Sequence, residues 1–155
     1  MPVSEFDLIR TYFNKPGLIP TQEQSARIPL GIGDDCALID LPPEKLLAVS
    51  MDTLIADVHF PAKADPALIA QRALAVNLSD LAAMGAEPLA FTLALSLPKA
   101  EESWLQAFSL GLETLVQTYH CPLIGGDITK GSLSITIQVH GLLNKDEVMT
   151  RKGAK

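Results

Sequence analysis

The stretch from Asp65 to Gly85 constrains this 155-residue chain more than any other feature. Asp65-Pro66 supplies an N-cap followed by proline in the first turn, the residues after it are mostly apolar, and Gly85 with Pro88 just beyond ends the run. The pattern predicts one long buried helix around which everything else must pack. Inside it stands Asn77-Leu78-Ser79-Asp80. A short carboxylate is a poor helix former and is costly to bury without a cationic partner, so the helix needs a reason to carry it. Asn77 and Asp80 share a face at i and i+3, and either a bound cation or a bond to a neighbouring group would supply that reason.

The flanking sequence predicts an α+β domain. Ser4-Glu5-Phe6-Asp7 resembles a capping box, and Phe6, Ile9, Tyr12 and Phe13 recur at helical spacing over 5–13. Residues 14–29 read as loop, 36–41 and 45–50 as an antiparallel strand pair flanking Pro42-Pro43, and 89–97 as a strand. Glu101-Glu102 opens a second helix whose stripe is Trp104, Leu105, Phe108, Leu112, Leu115 and Val116. A brief strand over 122–125 and a longer one over 133–140 complete the order. Helices on one face of a mixed or antiparallel sheet are the economical packing.

Composition narrows the function. With 48% hydrophobic residues the chain suits one compact domain. No run approaches the roughly 18–20 apolar residues of a membrane span, and the first ten residues carry Glu5, Asp7 and Arg10 where a signal peptide has an apolar centre, so a cytoplasmic location is expected. Cys36 and Cys121 make neither a disulfide framework nor a zinc cluster, and both are expected to be reduced packing residues in strands. A net charge of −6 with 12 scattered lysines and arginines excludes nucleic-acid binding. An acidic chain that binds phosphates must bring its positive charge as metal ions, usually magnesium held by carboxylates.

Four aspartate clusters fit that requirement. Gly31-Ile32-Gly33-Asp34-Asp35 places two carboxylates after two glycines, although alone it is equally a turn with solvated charges. Asp52 follows Ser50-Met51 near the end of the second strand, within reach of Asp34 and Asp35 if the strands form a hairpin, or else caps a turn. Gly125-Gly126-Asp127 repeats a strand running into glycines and then Asp, without the Gly-Lys-Ser/Thr ending of a P-loop. Asp80 is the fourth. Aspartates with few histidines and no cysteine ligands favour a hard, oxygen-seeking ion, provided that they converge in the folded molecule. His59, in a loop before Phe60-Pro61, reads equally well as surface decoration.

Taken together, Gly31 to Ala37, Ser50 to Leu54 with His59-Phe60, Ala75 to Ala86, and Gly125-Gly126-Asp127 resemble the thiamine-monophosphate kinases over essentially the whole chain. The resemblance implies an ATP-dependent transfer of a phosphoryl group to thiamine monophosphate in a cytoplasmic homodimer. It implies that sheets of two subunits pair into a barrel-like interface with ATP nearby. Asp35, Ser50, Met51, Asp52, Asp80 and Asp127 match magnesium ligands, Gly126, Asp127 and Arg151 the nucleotide site, and His59 a substrate contact. Family members are longer, so residues 1–145 are expected to be their amino-terminal ATP-binding, magnesium-binding and dimerisation domain, and 146–155 the start of a linker. Met51 and Ile128 stand where the family commonly has threonine; at Met51 only the main-chain carbonyl could then serve, because a thioether is a poor magnesium ligand. Two competitors share these motifs, another ATP-using enzyme of the wider superfamily and a non-catalytic nucleotide-binding dimerisation module.

Overall fold

Apolar periodicity resolves into four strands and two long helices in a computed structural model that describes residues 4–153. In chain order they are β1 (Lys45–Ile55), α2 (Pro66–Met84), β2 (Glu87–Leu97), α3 (Glu102–Tyr119), β3 (Leu123–Lys130) and β4 (Ser134–Asn144), preceded by the short α1 (Glu5–Leu8). The sheet order is β1-β4-β2-β3, with β4 antiparallel to both neighbours and β2 parallel to β3. The architecture is the expected α+β one.

α2 begins and ends as its sequence dictates. Asp65 caps it by accepting the Ala67 N–H at 2.9 Å, and Gly85 leaves the helix at φ +74°, a conformation that favours glycine. Its buried residues Ile69, Ala73, Leu74, Leu78 and Leu81 join Leu105, Phe108 and Leu112 of α3 and the inner sheet residues Leu93, Ile137 and Val139 in the main core. A Cβ on Gly111 would run into the Ala67 backbone, so α3 lies unusually close to the start of α2. The opposite sheet face is covered at one end by Ala37 and Ile39, which pack with Ile28, Ala90, Ile124 and Leu142.

Several expectations need correction. Residues 36–41 form no strand; Leu38 makes one isolated bridge with Leu30, and β1 pairs with β4 instead. Cys36 is consequently exposed in a loop, whereas Cys121 is buried as expected. β1 runs on to Ile55 and β3 to Lys130, which places Asp52 and Asp127 inside strands instead of beyond them. The first helix is α-helical only to Leu8, after which Ile9–Phe13 make a wider π-type turn. Of the expected tail, Ala154 and Lys155 lie outside the described residues, while the Met149 N–H reaches the Met84 carbonyl at 3.3 Å, seating the segment on the end of α2.

Candidate functional site

The long helix meets the edge strand through polar groups. Along β1, Ser50, Asp52 and Leu54 turn towards the helices while Val49, Met51, Thr53 and Ile55 face outward. Ser50 donates its hydroxyl to the Asp80 carboxylate at 2.6 Å. Asn77, fully buried, accepts the Asp52 N–H at 3.0 Å and donates its amide to the Ala73 carbonyl at 2.9 Å. Asn77 and Asp80 thereby bind the helix to Asp52 and Ser50. The expectation of a buried Asp80 is corrected, because Asp80 is exposed and Asn77 is the buried polar group. Ser50 and Asp80 line an open cleft of about 830 Å³ together with Met84, Met149 and Arg151.

His59 sits on a tight turn past the end of β1. The Ile55 N–H donates to His59 Nδ1 at 3.0 Å, so the neutral ring carries its proton on Nε2. Asp57, at φ +61°, holds the turn by accepting the Ala62 N–H at 3.0 Å.

A second acidic group lies along β3. Asp34, Asp35, Gly125, Gly126 and Asp127 line a cleft of about 700 Å³ that the amino-terminal turn walls on one side. Gly126 has φ +149°, and a Cβ there would run into the Leu93 carbonyl, so the strand leaves this stretch of backbone bare. Asp34 accepts the Asp35 N–H at 2.8 Å, which fixes the turn that carries both carboxylates.

The two groups do not converge within one copy of the chain. Asp52 stands opposite Ile137, which stands opposite Leu93, on the inner sheet face. Asp127 stands opposite Ala94, which faces Thr136 and then Thr53, on the outer face. They therefore occupy opposite faces and opposite edges of the sheet. Among the described residues no three His, Cys, Asp or Glu side chains gather closely enough to hold one ion. The expected hairpin was to bring Asp34 and Asp35 to Asp52, and without the 36–41 strand nothing does so. Arg151 likewise shares its cleft with Ser50 and Asp80, away from Gly126 and Asp127.

The first group still suits magnesium in its chemistry. Asp52, Asp80 and Ser50 are all oxygen donors, and magnesium is commonly held by one or two carboxylates together with waters and phosphate oxygens. The Met51 side chain is 60% exposed on the outer face, which leaves only its carbonyl as a ligand. Sequence reasoning placed Asn77 and Asp80 on one face but missed that Ser50 is the partner of Asp80; the i, i+3 spacing facing an alternating Ser-Met-Asp was the available signal.

Comparison with known proteins identifies the family of the chain. The family described as AIR synthase related protein, N-terminal domain, matches residues 33–143. The chain is 49% identical to thiamine-monophosphate kinase of Escherichia coli (strain K12) over all of its 155 residues, which span 46% of that protein. It resembles the crystal structure of thiamine-monophosphate kinase from Stenotrophomonas maltophilia K279a with 44% identity and a TM-score of 0.77, over 84% of this chain and 42% of that one. A third relative, AaThiL complexed with AMPPCP and TMP, is 31% identical with a TM-score of 0.68, over 80% of this chain and 40% of that one. The chain thus spans about half the length of the curated relatives it matches. It belongs to the AIR synthase related family, as an example of that family's amino-terminal domain.

Proposed function

We propose that this chain is the ATP-side domain of a cytoplasmic enzyme that phosphorylates thiamine monophosphate to thiamine diphosphate, working as a homodimer. The docking of Asn77 and Asp80 onto the Asp52 backbone and Ser50 carries the reading, because it holds the Asp80 carboxylate and the Ser50 hydroxyl together at an open cleft, with Asp52 two residues along the same face of β1. The relation to thiamine-monophosphate kinases at 49% identity supports the substrate assignment. Residues 1–145 form the proposed nucleotide and dimerisation domain, and 146–155 lead towards the remainder of a longer protein.

Thiamine monophosphate is itself a phosphate monoester, whose second ionisation lies near pH 6, so its attacking oxygen is already deprotonated at neutral pH. No side chain need act as general base. The obstacle is the approach of one anion to another, and magnesium held by Asp52, Asp80 and Ser50, with Asp35, Asp127 and the Met51 carbonyl as further proposed ligands, would supply the neutralising charge. The protein's own task is to hold donors and reactants in line. Gly126, Asp127 and Arg151 are the proposed nucleotide contacts, and His59, as an Nε2–H donor, the proposed contact to thiamine monophosphate. The separation of the two acidic groups within one copy is resolved in this reading by a second copy. Leu47, Val49, Met51 and Ile55 expose apolar side chains along edge strand β1, the kind of surface that sheet-to-sheet pairing covers.

The test is thiamine diphosphate formation from ATP and thiamine monophosphate by the full-length protein. Asp80→Asn lowers turnover roughly a hundredfold or more, as loss of an electrostatic contact at a reacting phosphate does. Near-normal turnover in that variant would remove Asp80 from the chemistry.

A further inference from the structure

Among the described residues Phe6 is the most exposed large apolar side chain, at 80%. Its exposure is not that of a frayed end. Ser4 caps the turn by accepting the Asp7 N–H, Asp7 pairs with Arg10 at 2.7 Å, and Leu8 and Phe13 anchor the segment in the main core. A fixed scaffold therefore presents one aromatic ring to water, at a cost of about 1.5–3 kcal/mol relative to burial.

Phe6 lines the same cleft of about 700 Å³ as the bare backbone of Gly125 and Gly126 and the carboxylates of Asp34, Asp35 and Asp127. That size lies within the ordinary range for small-molecule sites. The lining combines an aromatic ring with glycine backbone and carboxylates. A ligand that matches both features has a planar ring and phosphate groups, the latter brought in with cations. One ring offers far less apolar area than a protein partner needs. Resting on the function proposed above, we propose that Phe6 is a specificity-determining wall of this cleft, against which the heteroaromatic ring of a phosphate-bearing substrate stacks. Both the adenine of ATP and the rings of thiamine monophosphate have this chemistry.

The experiment compares wild type, Phe6→Ala, Phe6→Leu and Phe6→Trp in the full-length protein, titrated calorimetrically with AMPPCP and, separately, with thiamine monophosphate, each with magnesium present. Alanine is expected to weaken one of the two probes by at least about fivefold, the lower end of what removing a stacking ring does, with tryptophan restoring it and leucine failing to. The weakened probe identifies the ring that stacks. Unchanged affinity for both probes in the alanine variant overturns the proposal. So does full rescue by leucine, or a loss that follows a change in dimer mass by light scattering, which would make Phe6 an interface residue. In these cases wild-type turnover leaves the proposed function standing, whereas a wild type that binds neither probe refutes both.

Discussion

At the scale of single residues, two polar side chains one helical turn apart have separate duties. Asn77 is buried and satisfies the Asp52 N–H at the unpaired edge of β1, so replacing it leaves a part-buried donor without its partner. Asn77→Leu should cost about 1–3 kcal/mol and lower the melting temperature by roughly 2–4 °C per kcal/mol, measurable by calorimetry. Asp80 is exposed and makes one bond, to Ser50, so Asp80→Asn should leave melting nearly unchanged while removing turnover. Reversed outcomes would exchange these roles. The chemistry of the pair was legible in the sequence, but its burial was not. An Asp among alanines and leucines reads as buried, yet its helical position turns it to the cleft while Asn77 faces inward.

Among the secondary elements, the long helices were legible and the strand ends were not. α2 announces itself by Asp-Pro and Gly, and α3 by its apolar stripe. Asp52 and Gly125-Gly126-Asp127 read as strand ends because polar and glycine residues usually end strands, but partners decide the matter. β4 has eleven residues and pairs with β1 along its whole length, and β2 carries β3 through its glycines. Residues 36–41 had the composition of a strand and found no partner strand beyond the single Leu38 bridge to Leu30, while Ala37 and Ile39 pack their side chains onto the outer sheet face. The contact between α2 and α3 gives a test at this scale. Gly111→Val drives a side chain into the Ala67 backbone and should destabilise by about 1–3 kcal/mol or more in urea unfolding. A neutral effect would mean that the helices have room to part.

For the whole molecule, a buried thiol and a half-buried imidazole contribute to the pH dependence of stability. Burial raises the Cys121 thiol from 9.0 to about 12, so the unfolded chain ionises first and stability should fall as pH rises from about 9 towards 12. Burial pulls His140 below 6.5, against a hydrogen bond with the Ala90 backbone, so the unfolded chain takes up its proton first and stability should fall as pH drops below 6.5. Urea melts across pH should show both slopes, and Cys121→Val should flatten the alkaline one; an unaltered slope would place its origin elsewhere. The larger arrangement is two acidic groups on opposite faces and edges of one sheet, which no reading of a single sequence could separate, since it depends on which strands pair. Their proposed common task is to admit a nucleotide only with its cation. The most direct test is isothermal titration of AMPPCP into the full-length protein with and without magnesium, repeated on Asp52→Asn. The account predicts binding that requires magnesium and is lost or strongly weakened in the variant; equal binding without the metal, unaffected by the substitution, would contradict it.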